Sequence, residues 1–372
     1  MLLCHRPGRA RVPMRPAMPP TTHLLPARLH TARLLLATAL LGAALQGAGA
    51  AEPPDELTLG IPEGALPPIV QTGFATPFAA ASGLQVHVVP LTATLDAQAA
   101  HADAMLVDGA LQRAGCAGNA FQKVNWPQLG GRDRLLPAGV SECGVGAIAQ
   151  SLLIAWDRQK LPATPGWSEF WDVAKVPGKR GLQKHARGNL EFALMADGVA
   201  PGDVYSTLHG DSGVERAFRK LDQLKPYIVW WEQDAEAVRL LASGEVLMTS
   251  APAAAVFAAA NAGSSVAPRD FGVQWAGGLL SVDSFVVLHN AAHPAPAAAF
   301  LKFLTDPKQV PTLPLGMGSM LAGAADMLGA AERADSPTAS ANLGQQLVAD
   351  EAFWRDNGVK LEAQFQAWMA KP

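Results

Sequence analysis

Two long apolar runs constrain the fold more than any other feature of the sequence: residues 146–157 and 279–288. Each has the length and composition of a buried strand, and a helix-rich stretch of about 120 residues separates them. Shorter strand patterns, such as residues 84–91 and 246–251, alternate with amphipathic helix patterns, which favours parallel sheets covered by helices. If both long strands cross between two halves of the molecule, the chain forms two α/β lobes with a ligand cleft between them.

The first fifty residues have the pattern of a secretory signal. They contain six arginines and no acidic residue, followed by the apolar run LLLATALLGAAL (34–45) and the small residues of 48–50. This order of basic, apolar and small residues is typical of an export signal. The apolar run is shorter than the roughly 20 residues that a bilayer span needs. We therefore predict a signal peptide over residues 1–50 and a soluble, periplasmic mature chain that begins near Ala51.

The net charge argues against nucleic acid and anionic lipid as partners. The whole chain has 29 basic and 32 acidic residues, and the predicted signal contains six of the basic ones. The remainder has 23 basic and 32 acidic residues, a net charge of −9 before histidines are counted. Because a basic surface drives binding to nucleic acid and anionic lipid, this acidic chain suits a cationic or neutral small molecule better.

The cysteines predict one disulfide. Cys4 lies in the predicted signal, so Cys116 and Cys143 remain as a single pair in an oxidising compartment. Closing the loop between them would add roughly 3 kcal/mol to the free energy of unfolding in the chain-entropy model. The alternative is two free, buried thiols.

The sequence contains little that indicates catalysis or cofactor binding. The sequence has no Walker loop, no Gly-x-Ser-x-Gly elbow and no His-Glu-x-x-His motif. GVGAIA (144–149) has the glycine spacing of a dinucleotide fingerprint, but it leads into a strand instead of opening a helix. The histidines of the mature chain show no paired ligand spacing. We predict that the protein is not an enzyme and needs neither a cofactor nor a metal.

Three carboxylates at or within predicted strands are candidate ligand-binding groups. Glu63 follows the first strand, Asp108 ends the run DAMLVD, and Asp283 lies inside the second long apolar strand. For Glu63 and Asp108, the alternative is that each caps a helix or pairs with a nearby base. Asp283 has no basic neighbour in sequence, and a buried carboxylate without a partner is costly. We therefore expect Asp283 to await a cationic ligand.

Trp231 and Trp275 lie near predicted strand ends, where an indole ring could stack on a cation or an apolar linker. The alternative, which position in the sequence does not separate from the first, is ordinary packing in the core.

Several segments resemble the spermidine/putrescine-type solute-binding proteins of bacterial ABC importers. In the middle of the chain these segments are FWDVAKVPGKRGL (170–182), NLEFALMADGV (189–199), VERAFRKLDQLKPYIVWW (214–231) and LLASGEVLM (240–248). SECGVGAIAQSLLIAWD (141–157) and WAGGLLSVDSFVV (275–287) are similar to the two strands that cross between the lobes in that family. The first of them includes the cysteine that we pair with Cys116.

The resemblance implies a type II periplasmic-binding fold that closes on its ligand by hinge bending. Lobe 1 would comprise residues 51–152 and 286–330, and lobe 2 residues 153–285 and 331–372. In the family, the acid of the second crossover commonly binds a ligand ammonium group, and Asp283 occupies that position. The implied partners are a small-molecule ligand and an ABC transporter permease at the inner membrane, with the binding protein itself a monomer.

Some positions depart from the polyamine-binding pattern of that family. Ser281 stands where an aromatic residue clamps the alkyl chain of a polyamine, and the turn that usually carries an aromatic followed by Asn-Gly is Ala251-Pro252-Ala253-Ala254. His185 and Gly188 fall where an acidic pair is expected. The resemblance thus implies a small cationic or amine-bearing ligand, with a non-polyamine solute as an open alternative.

Two other functional classes stay open at this point. An extracytoplasmic enzyme could use two of the acids as a general acid and a general base. A periplasmic sensor could bind the same solute without transporting it.

Overall fold

One mixed sheet of ten strands runs through the described part of the chain. The structure is a computed structural model that describes residues 56–91, 101–261 and 270–371; the predicted signal over residues 1–50 lies outside them. The strands are β1 (Glu56–Pro62), β2 (Gln85–Leu91), β3 (Ala104–Val107), β4 (Val145–Asp157), β5 (Arg180–Gln183), β6 (Ile228–Trp231), β7 (Met248–Pro252), β8 (Phe271–Val287), β9 (Met317–Ser319) and β10 (Leu347–Val348). Their order is β2-β1-β3-β8-β4-β7-β5-β6, with β10 paired to β8 and β9 paired to β4.

The two long apolar runs form the central pair of this sheet, β4 and β8. They pair antiparallel from Val145 opposite Phe285 to Asp157 opposite Phe271. On one side β3 pairs with the last residues of β8, and on the other side β7 pairs with the second half of β4. Both strands therefore cross between two α/β halves, which confirms the predicted fold class. Two of the predicted lobe boundaries fall within β4 and β8, and the third, between residues 330 and 331, falls at the start of the helix Ala330–Ala334. All three stay predictions.

Thirteen α-helices in the described ranges connect and cover the strands. They are α1 (Leu66–Val70), α2 (Thr76–Ser82), α3 (Gly109–Ala117), α4 (Trp167–Trp171), α5 (Ala186–Ala196), α6 (Val204–Leu208), α7 (Asp211–Leu224), α8 (Asp234–Ser243), α9 (Ala253–Asn261), α10 (Pro294–Leu304), α11 (Ala330–Ala334), α12 (Ser340–Leu343) and α13 (Glu351–Met369). A π-helical turn, Gln71–Ala75, joins α1 to α2. None of the helices in the described ranges combines the length and apolar character that crossing a bilayer requires.

Each half has its own hydrophobic core. In the first, Phe74 packs edge-on against Phe285, which in turn packs against Phe300 of α10. In the second, Trp167 stacks on Phe192, within a cluster that also includes residues of α7 and α13. Two separate cores joined by a few extended segments, among them β4 and β8, are the arrangement that hinge motion requires.

Cys116 and Cys143 form a disulfide, as predicted. The bond ties α3 to the loop that precedes β4. Since Asp108 caps the start of α3, the disulfide fixes the helix that presents this carboxylate.

Candidate ligand-binding site

Asp283 lies in the second half of β8 and is 9% exposed. Ile148 of β4 stands directly opposite, and Gln150 is two residues further along the same strand. Residues at such diagonal positions share one face of an antiparallel pair, and the Gln150 Nε2 atom donates a hydrogen bond to Oδ2 of Asp283. The described residues supply no other hydrogen-bond donor to this carboxyl group. One carboxylate oxygen is thus available to a ligand.

Burial raises the pKa of Asp283 to about 7. The hydrogen bond from Gln150 lowers this pKa, the negative charges of Asp108 and Glu351 raise it, and Arg187 lowers it. The carboxyl group therefore binds and releases its proton near neutral pH instead of in the usual acidic range. A bound cation beside it would favour the ionised form.

Two cavities open on the same cleft. The first, of about 270 Å³, has Asp283 in its wall, and the second, of about 330 Å³, has Arg187. Asp108 and Gln150 line both cavities, so the two adjoin at these side chains. The wall of the first cavity is mainly apolar, whereas most of the residues that line the second, the polar cavity, have polar side chains. A small molecule that reached from one cavity into the other would contact an acid at one end and a guanidinium at the other.

Arg187 enters the second cavity because the backbone bends just before the regular part of α5. Arg187 has an extended conformation (φ −62°, ψ 136°), and Gly188 has φ +86°, a left-handed value that favours glycine. The Gly188 amide donates to Oε2 of Glu191, at 2.8 Å. This local turn holds the Arg187 side chain away from the helix and toward the cleft.

Arg187 also forms a bidentate ion pair with Glu351, the first residue of α13. The Nη1 atom lies 2.9 Å from Oε2, and Nη2 contacts Oε1. Both side chains are largely buried, at 23% and 12% exposure. Glu351 in turn packs closely on Gly109 of α3. A Cβ atom at position 109 would lie 2.2 Å from the Cγ atom of Glu351, so the contact requires a glycine. The guanidinium is thus fixed in place, and part of its charge is already balanced.

Asp108 has two roles in the structure. Its Oδ1 atom accepts a hydrogen bond of 2.7 Å from the Leu111 amide, which makes it the N-cap of α3. The helix-cap alternative considered from the sequence therefore holds. The same exposed side chain lines both cavities, so the cap also places a carboxylate in the cleft, about where the two cavities adjoin.

Of the other polar residues predicted for the site, two line a cavity and one does not. Ser281 and His185 line the second cavity. The His185 Nδ1 atom is also 3.0 Å from Oε2 of Glu362, so this imidazole has a protein partner. Glu63 is exposed at the end of β1 and is not among the residues that line either cavity. The structure brings Ser281 and His185 to the cleft and leaves Glu63 outside its walls.

The two tryptophans pack in hydrophobic clusters instead of lining the cavities. Trp231 is 1% exposed and packs with residues of α8, and Trp275 is 8% exposed and packs with Leu153 and Ala253. Neither ring is among the residues that line the two cavities. Core packing, the alternative considered from the sequence, accounts for both positions, because each strand buries its indole ring against a covering helix. Stacking on a ligand stays a prediction.

Sequence reasoning missed Arg187, Gln150 and Asp234, all of which line the second cavity. Gln150 carried a usable signal, because an amide in the middle of a buried apolar strand needs a partner. Arg187 and Asp234 carried none, since only the folded chain brings the starts of α5 and α8 to the same cleft.

Comparison with known proteins fits this architecture. The family model described as "Bacterial extracellular solute-binding protein" matches residues 73–327. The chain belongs to this family. The γ-aminobutyric acid-binding protein of Pseudomonas aeruginosa is 37% identical over 265 residues, which is 69% of this chain and 72% of that protein.

Solved structures of solute-binding proteins share the fold. An ABC transporter substrate-binding protein from Bradyrhizobium japonicum superposes with a TM-score of 0.72 at 25% identity, over 84% of this chain and 99% of that one. The binding protein MotA of A. tumefaciens, solved with glucopine, gives 0.70 at 22% identity over 84% and 99%. The chain thus has the two-lobe type II fold of an extracytoplasmic ABC solute-binding protein. The members of the family, including the γ-aminobutyric acid-binding protein of P. aeruginosa, are binding proteins and not enzymes.

Proposed function

We propose that this solute-binding protein captures a small ω-amino acid of the γ-aminobutyrate type in the periplasm and delivers it to an ABC permease. Asp283 carries the proposal, because it is a buried carboxylate on a crossing strand with one oxygen free toward the cleft. The signal over residues 1–50 would export the chain, and the mature protein would act as a monomer.

The ammonium end of the ligand would bind beside Asp283 and Asp108. Both carboxylates line the apolar cavity, and Gln150 holds the Asp283 group in position. A charge-assisted hydrogen bond is strongest in a site from which water is excluded. Because the pKa of Asp283 is raised to about 7 by burial, an ammonium ion would relieve the cost of ionising it.

The carboxylate end would bind at Arg187. The guanidinium lines the adjoining polar cavity, together with the hydroxyl-bearing Ser281. An arginine fork suits a carboxylate because it presents parallel N–H donors. Glu351 already occupies part of that fork, so the ligand would use the remaining donor positions. The relative from P. aeruginosa, named as a γ-aminobutyric acid-binding protein, supports this class of ligand.

A polyamine is the second candidate, and the acidity of the cleft favours it. Asp108, Asp234 and Asp283 all line the two cavities, while the ion pair with Glu351 balances part of the charge of Arg187. A diamine could then use an acid at each end. Against this, Ser281 offers no aromatic surface for the alkyl chain, and neither predicted tryptophan lines a cavity.

Calorimetric titration of the purified protein with γ-aminobutyrate, putrescine and butyrate tests the proposal. We expect γ-aminobutyrate to bind, and Arg187→Gln to weaken it by about 10- to 100-fold, as expected for the loss of a hydrogen bond between charged groups. Arg216→Gln is the matched control, because Arg216 is ion-paired with Asp197 away from the cleft, and it should leave the affinity unchanged.

The same titrations distinguish the two candidates. If putrescine bound and Arg187→Gln strengthened that binding, the ligand would be a polyamine. If only butyrate bound, or if none of the three compounds did, the amine assignment would be wrong.

A further inference from the structure

We propose that the apolar cavity beside Asp283 holds a hydrocarbon substituent on the ligand carbon that bears the ammonium group. The solute would then be a larger, apolar-substituted relative of an unbranched ω-amino acid. This inference rests on the proposed function and names the part of the ligand that the ammonium and carboxylate contacts leave undetermined.

Apart from the residues of the ammonium site, the described side chains that line this cavity are apolar. Pro62, Leu66, Leu91, Met105 and Leu111 line it, with two further residues of β3. Among the described residues, the polar ones that line it are Asp108, Gln150 and Asp283, all of which belong to the ammonium end. Ordered water needs two to four polar partners in a buried site. The apolar lining residues of β1, β2, β3, α1 and α3 have side chains that cannot supply them.

The volume exceeds what an ammonium group alone would fill. The cavity measures about 270 Å³, whereas a cavity of about 150 Å³ lined by aliphatic and aromatic side chains is enough to bind benzene. A substituent from methyl to phenyl size therefore fits beside the ammonium. Each buried methylene would raise the affinity by about fourfold, from the usual transfer free energy of such a group.

The position of the substituent follows from where the two cavities adjoin. Arg187 lines the polar cavity and Asp283 lines the apolar one, and Asp108 and Gln150 line both. The chain between the two charged ends of the ligand would pass these shared side chains. The remaining volume of the apolar cavity then lies next to the ammonium group, not next to the carboxylate.

Calorimetry on the wild-type protein with a substituted series tests the inference. The series is γ-aminobutyrate and its derivatives with a methyl, propyl or phenyl group on the carbon that bears the amine. We expect the affinity to rise along the series, with the propyl or phenyl compound binding at least about tenfold more tightly than the parent. If the parent bound and every substituent lowered the affinity or left it unchanged, the inference would be wrong while the proposed function stood.

Failure of the proposed function gives a different result: neither the parent nor any derivative would bind. A pair of variants then ties the gain to this cavity. Leu111→Asn should bring the ratio of phenyl to parent affinity close to one, because it places an amide in the apolar wall. Leu84→Asn, a half-buried leucine of the same lobe outside both cavities, should preserve the ratio. An equal loss in both variants would also contradict the assignment.

Discussion

Replacing Asp283 with asparagine is expected to weaken the binding of γ-aminobutyrate by about 100-fold or more. The substitution keeps the size of the side chain and its acceptor for the Gln150 amide, and it removes the charge that would face the ligand ammonium. Loss of one member of a buried, hydrogen-bonded charge pair costs about 2–5 kcal/mol. Titration calorimetry or a ligand-induced shift in melting temperature measures this loss.

The matched control is Asp335→Asn. Burial also raises the pKa of Asp335, but this residue lies outside the walls of both cavities. We expect the affinity of the Asp335→Asn variant for γ-aminobutyrate to equal that of the wild type. A similar loss of binding in both variants would show that the effect of Asp283→Asn is not local.

The melting temperature of the ligand-free Asp283→Asn variant shows whether a loss of binding is due to unfolding. Burial raises the pKa of this group from 3.8 to about 7. Its contribution to the free energy of unfolding is therefore fully present below pH 4 and is lost as the pH rises through about 7. At pH 8 the wild type carries a buried charge that asparagine lacks. The ligand-free variant should then melt at the same temperature as the wild type or a higher one.

Removal of the disulfide is the second large effect. The double substitution Cys116→Ser/Cys143→Ser is expected to lower the free energy of unfolding by about 3 kcal/mol, because the bond closes a loop of 27 residues in the unfolded chain. Chemical denaturation of the variant measures this change, and it should appear as a lower midpoint.

Reduced wild-type protein is the control for the cysteine substitutions themselves. It should unfold at the same denaturant concentration as the double variant. Because α3 would lose its tie to the loop before β4, the Asp108 cap would be held less firmly, and a weaker ligand affinity should accompany the lower stability. An unchanged midpoint in both samples would contradict the stabilising role of this bond.

The sequence predicted the crossing strands well because their signal is local. An uninterrupted apolar strand is buried on both faces, and a carboxylate inside it stands out against its neighbours. Asp283 could therefore be singled out, and so could the fold class. The pairing of Cys116 with Cys143 followed from their being the last two cysteines of an exported chain.

The rest of the site depends on contacts that sequence does not encode locally. Arg187 precedes a glycine whose φ of +86° turns its side chain to the cleft, and its partner Glu351 lies 164 residues away. Trp231 looked equally suited to a cleft or to a core, because the sequence of a short strand does not show which face a helix will cover. Its ring packs under α8.

Proton release on ligand binding tests the role of Asp283 most directly. Because burial raises the pKa of Asp283 to about 7, the group should release part of a proton for each γ-aminobutyrate bound near pH 7, as the ammonium ion drives it to the ionised form. The number released should fall as the pH rises. Calorimetry in two buffers of different ionisation enthalpy measures this number. We expect the wild type to release protons when γ-aminobutyrate binds, and to release more at about pH 6 than at about pH 8. No release at either pH, or equal release at both, would contradict the role of Asp283.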